Sequence, residues 1–325
     1  MGSSIPGSGI DEDGGVSEAK AGEGLGVPVA GALEPVRRPA EARGFRWVTR
    51  RLLRHRRGAI GGVIVLLALM TAVGGRALAP QDPLQQDLPS ALQGPSARHL
   101  LGVDALGRDV LSRMMYGAPI SLSIGAVAVS LGLAVGGGLG IVAGYFGGGL
   151  ESIIMRLADV LLAFPGILMA LALVAVLGPN IQNVTIAVGV FGIPAYIRLV
   201  HSTVLSVRER PFVEAARAVG APSVRILARH ILPNIMAPLI VQSSLDLARA
   251  ITVASSLSFL GLGVQPPSPE WGAMLAEGRE YLRGAPHLAT FPGLAVMMVV
   301  LGFNMLGDGL RDVLDPRLRG LRGLD

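Results

Sequence analysis

The chain has 325 residues, 51% of them hydrophobic and only 16% charged, with a net charge of +5. Soluble domains carry roughly 25% charge, so this balance points to a protein of the bilayer. The absence of cysteine excludes disulfides, thiolate metal sites and cysteine nucleophiles, and long apolar stretches divide the arginines that a nucleic-acid binder would cluster.

Residues 1–44 are rich in Gly, Pro, Ala, Ser and charge, and show neither a helical nor a strand period. They predict a disordered cytoplasmic tail, and with no apolar core in the first 20 residues no cleavable signal peptide is expected. Basic residues then accumulate (Arg37, Arg38 and Arg43, followed within 45–57 by Arg46, Arg50, Arg51, Arg54, Arg56 and Arg57). Such a juxtamembrane cluster sets topology and touches anionic lipid headgroups.

The first charge-free run, from Gly58, predicts a transmembrane helix over 58–79, and the polar, Pro-containing segment 80–113 is expected outside. A long, mostly apolar core, 114–310, follows. Its first run, Met114–Leu150, exceeds the roughly 20 residues that a span requires, so one helix plus interfacial turns is expected, ended by Gly147-Gly148-Gly149. The next run, Val160–Ile197, is broken by Gly178-Pro179-Asn180 and predicts a helical hairpin. A fifth span over about 233–262 and a sixth over about 288–307 complete an all-α membrane protein with about six transmembrane helices, leaving 311–325 as a carboxyl-terminal tail. With the amino terminus inside, the outside segments hold only Arg76, Arg98, Arg108, Arg113, Arg279 and Arg283, while most other basic residues fall inside. The bias predicts that both termini are cytoplasmic.

The loop 206–232 carries the most information. Pro211 suits the first turn of a helix, Phe212, Ala215, Ala216 and Val219 fall at helical spacing, and Gly220 can close it. Ser223 is expected to cap a second helix that runs up to Pro233. The first helix would lie along the membrane face and present Glu214, Ala215 and Ala216. Small side chains let a helix enter a partner's groove, and a flanking charge sets register. An ordinary interfacial loop would read the same way on these grounds.

Asp246 and Arg249 stand three apart inside the fifth span and so share a helix face. Ionisable groups at that depth face a cavity or a partner, which leaves a translocation path or an interface between subunits. The sole lysine, Lys20, is followed by Ala21 and lies in the tail, so the chain is not expected to hydrolyse ATP through a phosphate loop. The five histidines show no metal-ligand spacing, and neither metal nor cofactor is expected. Gly136-Gly137-Gly138 has no strand before it and suits helix packing better than phosphate binding.

Glu214-Ala215-Ala216, Gly220 and Leu232-Pro233 together resemble the EAA loop of binding-protein-dependent ABC importer permeases. Leu101-Gly-Val-Asp104, Gly107-Arg-Asp-Val-Leu-Ser-Arg113, Leu257-Ser-Phe-Leu-Gly-Leu-Gly263 with Pro266-Pro267 and Trp271-Gly272, and Gly307–Arg317 are similar to the dipeptide and oligopeptide permease C type. The resemblance covers about residues 45–320. It implies a type I ABC importer permease fold and a partner set of a second permease subunit, two ATP-binding subunits and an extracytoplasmic substrate-binding protein. It also implies that the Glu214 helix docks into the ATPase. Peptides are the implied solute, with nickel, glutathione or another small solute as alternatives. An ion-coupled secondary transporter is the rival of another class, for which Asp246 is the one clear carboxylate.

Overall fold

A computed structural model describes residues 45–314. The predicted tail 1–44 lies outside the described residues, as do residues 315–325 of the carboxyl-terminal segment. The protein is helical, and among the described residues the only β pairing is one bridge between Val103 and Asp109.

The basic segment forms α1 (Phe45–Arg54) and runs into α2 (Arg56–Leu78), with His55 as the N-cap between them. The expected helix-plus-turns of 114–150 is instead a single 37-residue helix, α3 (Val110–Phe146), with Pro119 inside it. At 1.5 Å per residue it is about 55 Å long, well beyond a hydrocarbon layer of about 30 Å. Asp109 starts it by accepting from the Ser112 amide at 2.8 Å.

The expected straight third span is also different. α4 (Gly148–Ala163) begins before the charge-free run, and α5 (Gly166–Leu177) leaves it at an angle of 89° across Phe164-Pro165. The residue before a proline disfavours the helical region, and Phe164 is extended with ψ 136°. Charge kept α4 out of the predicted span, yet α6 answers that charge: Glu151 meets His201 at 2.8 Å and Asp159 pairs with Arg198.

After the Gly178-Pro179-Asn180 turn, α6 (Ile181–Arg208) is capped by Asn180. α7 (Pro211–Ala218) and α8 (Ser223–Ile226) form the loop, and a π-helical turn, Leu227–Ile231, joins α8 to α9 (Leu232–Phe259). α10 (Trp271–Gly278) and α11 (His287–Leu314) complete the described residues. Among the described residues, five helical stretches are long and apolar enough to cross a bilayer, and the bent pair α4–α5 makes up to six crossings.

The largest helix interface joins α3 and α6. Gly136, Gly140 and Gly144 line it at four-residue spacing, and a Cβ on Gly136 would stand 2.4 Å from the Ile193 carbonyl oxygen. Small residues of this kind let two backbones approach where apolar side chains gain nothing over lipid. α11 packs on both α2 and α9.

Candidate coupling loop and membrane-buried ion pair

The loop is held to the end of the bundle by specific contacts. Arg208, in the last turn of α6, donates from Nη1 to the Gly144 carbonyl at 2.9 Å, closing the carboxyl end of α3 with a cation. α7 then starts with Pro211 at its first position, where a missing N–H costs nothing. Val213 and Ala216 turn inward, at 0% and 9% exposure, and join the main apolar core. Arg217 lies over the Tyr145 ring at 5.7 Å, and Phe212 stands 6.2 Å from the His230 ring.

That seating decides what α7 shows. Pro211, Glu214, Ala215 and Ala218 share the exposed face, and among the described residues Glu214 has no side-chain partner. Of the two alanines expected to be presented, only Ala215 is, because Ala216 is buried beneath it. Beyond it, Val219 and Val224 are 84% and 77% exposed.

Gly220 closes α7 with φ +75°: the Ala221 amide donates to the Ala216 carbonyl at 3.0 Å and the Gly220 amide to the Arg217 carbonyl at 2.9 Å. This six-to-one bond with an inner one needs the left-handed conformation that glycine adopts freely. Ser223 is not the cap of the next helix; Pro222 holds that position and Ser223 is the first helical residue. Nor does Pro233 end a helix. It sits in the first turn of α9, and the π turn before it accommodates the ring and the missing donor.

The second candidate lies in the middle of the bundle. Arg249 Nη2 forms an ion pair with Asp246 Oδ1 at 2.9 Å, and the guanidinium lies 4.6 Å from the Phe191 ring of α6. The two side chains differ sharply in exposure, 5% for Asp246 and 38% for Arg249, and Asp246 Oδ2 is buried without a hydrogen-bond partner. Arg249 also belongs to a polar stripe. Asn234, Gln242, Arg249, Thr252 and Ser256 recur at three- and four-residue steps with Pro238 and Leu245, and none of them is buried. The Thr252 and Ser256 hydroxyls donate to carbonyls one turn back, at 2.8 Å each.

Comparison with known proteins matches residues 136–320 to the family of binding-protein-dependent transport system inner membrane components. The chain belongs to that family. Residues 45–95 match the N-terminal transmembrane domain of oligopeptide transport permease C. Relatives include the dipeptide transport system permease protein DppC of Alkalihalophilus pseudofirmus, 44% identical over 85% of this chain and 90% of that one. The glutathione transport system permease proteins GsiD of Pectobacterium atrosepticum and Escherichia coli are 48% and 49% identical, each over 83% of this chain and 90% of theirs. Among solved structures, the inward-facing MetNI methionine ABC transporter superposes with a TM-score of 0.51 at 17% identity, covering 62% of this permease and 96% of that chain. The fold is that of a type I ABC importer permease.

The permease has a third polar cluster, at the α10 end of the bundle, that sequence reasoning did not assemble. Asp104 Oδ2 takes Arg108 Nε at 2.6 Å and Arg113 Nη1 at 2.8 Å, while Glu277 Oε2 takes Arg108 Nη2 at 3.2 Å and Arg113 Nη2 at 3.1 Å. Glu270 caps α10 by accepting from the Gly272 and Ala273 amides and from the Ser121 hydroxyl. Arg113, expected outside the membrane as a topology charge, lies in the first turn of α3 and is 1% exposed. Two of the stretches that carry the permease C resemblance, 101–113 and Pro266-Pro267, meet here with α10 around a cavity of about 440 Å³. Burial pushes the Glu277 carboxyl above its ordinary value, although Arg108 beside it pulls the other way.

Proposed function

We propose that this chain is one permease subunit of an ATP-driven importer of peptides, powered by separate ATPase subunits that engage the open face of α7. The observation that carries the reading is Glu214: a carboxylate without a partner among the described residues, flanked by Ala215 and Ala218 on a short helix whose other face is anchored to the bundle core. A rigidly seated helix with a small, singly charged outer face suits insertion into a partner's cleft. The remaining partners are a second permease subunit and an extracytoplasmic binding protein, and ATP hydrolysis belongs to the ATPase subunits. The chain sits in the cytoplasmic membrane with α7 and both termini on the cytoplasmic side, a reading supported by the arginine bias.

Peptides are the solute class because the solutes in the relatives' names, dipeptides and glutathione, are both short peptides. Asp246 and Arg249 belong to the wall of the solute path. A polar stripe along the whole of a membrane helix is costly against lipid and suits an aqueous path. ATP binding would close the ATPase pair, shift α7, and rock the spans between inward-open and outward-open states as one coupled equilibrium.

Uptake of a labelled dipeptide into vesicles containing the assembled importer tests this. Transport is expected to need ATP and the binding protein and to survive collapse of the ion gradients. Transport that stops with the gradients while ATP persists would favour an ion-coupled carrier instead.

A further inference from the structure

Arg249 is an ionised group near the middle of a 28-residue membrane helix, and its surroundings use little of its hydrogen-bonding capacity. A guanidinium carries five N–H donors in a planar fork. The Nη2 nitrogen stands 2.9 Å from Asp246 Oδ1 as an ion pair, and among the described residues no other carboxylate pairs with the group. Phe191 lies against the group, its ring centroid 4.6 Å from Cζ, while the side chain remains 38% exposed. Asp246 is buried behind it with Oδ2 lacking a hydrogen-bond partner, and Asp246 lines one small cavity with Phe191, Gly192, Tyr196 and Arg249. The pair is therefore lopsided, with its carboxylate enclosed and its cation presented on the polar stripe of α9.

We propose that Arg249 is a specificity-determining residue that binds a carboxylate of the passing solute through its open fork, with Asp246 as the positioning residue behind it. The proposal rests on the peptide-import reading and names the group of the peptide that is read, its terminal carboxylate. A planar anion fits the guanidinium edge with two parallel hydrogen bonds, which an ammonium could not offer. Asp246 also keeps the empty site close to neutral, so that the anion is held weakly enough to be released, as conduction through a path requires.

The test uses the complete importer in liposomes with its binding protein. ATP-driven uptake is measured for two tripeptides of one sequence, one with a free terminal carboxylate and one amidated, each at a concentration that saturates the binding protein. The wild type is expected to favour the free acid. Arg249→Gln is expected to lower free-acid uptake about tenfold more than amide uptake, the loss of a charge-assisted contact. The sister permease and the ATPases should still co-purify. Because Arg249→Gln alone leaves Asp246 charged and unpartnered, the neutral double variant Asp246→Asn/Arg249→Gln is measured beside it and is expected to show the same collapse of preference. An acid-to-amide ratio that stays at the wild-type level in the double variant overturns the proposal and leaves the import reading standing. Loss of the sister subunit in both variants also overturns it, assigning the fork to an intersubunit carboxylate. Absence of ATP-dependent uptake of either peptide by the wild type overturns the import reading, and this assignment with it.

Discussion

The two ends of the bundle handle charge in opposite ways. At the α10 end, Asp104, Arg108, Arg113 and Glu277 are closed on one another, and Arg113 is among the most deeply buried side chains of the protein. At the α7 end, Glu214 stands exposed on a two-turn helix, with Val219 and Val224 open beside it. The first arrangement locks α3 to α10 through paired charges; the second is seated by Val213 and Ala216 and leaves its charge free. Substitutions should therefore separate cleanly, costing folding at one end and transport at the other.

The largest effect is expected at Arg113. Arg113→Met removes one of two cations from a buried cluster of two carboxylates, a loss of about 3–5 kcal/mol by the general cost of breaking a buried pair. Thermal unfolding in detergent should show a large drop in midpoint. An unchanged midpoint would mean that the cluster does not hold the fold.

Gly220→Ala comes next. A side chain at φ +75° costs about 1 kcal/mol and disturbs the turn that sets α8 against α7. The midpoint should fall slightly while uptake falls much further. Parallel losses in both would blur the contrast between the two ends.

Glu277 gives a smaller and pH-dependent effect. Its carboxyl lies above its ordinary 4.5, so the folded protein favours the protonated form, and that contribution is present in acid and lost as pH rises through the raised value. The variant Glu277→Gln should therefore gain on the wild type in melting midpoint as pH rises from 4.5 upward, despite the loss of two ion pairs. A widening deficit for the variant would show that Arg108 and Arg113 outweigh burial.

The smallest effect on folding and the largest on transport belong to Glu214→Lys. Substitution at an exposed site without a partner should change stability by no more than about 0.5 kcal/mol, yet uptake should drop to background.

Sequence patterning carried the outline because apolar runs between charges are long in α2, α3, α6, α9 and α11. It failed at α4, where Glu151 and Asp159 look like an end to the membrane until α6 supplies His201 and Arg198. The Asp246–Arg249 pair was legible because its partners are one helical turn apart. The α10 cluster was not, since Arg113 and Glu277 are 164 residues apart and no local period joins them. In the loop, the helix start at Pro211 and the stop at Gly220 were legible from residue chemistry, whereas the inward turn of Ala216 depends on the bundle beneath it.

The most direct measurement is a gentle detergent pull-down of this chain, wild type and Glu214→Lys, with mass spectrometry of what accompanies it. The wild type should bring a second multi-span permease and two phosphate-loop ATPases, and Glu214→Lys should keep the permease and lose the ATPases. A wild-type chain that purifies alone, or a variant that retains the ATPases at full strength, would contradict coupling through α7.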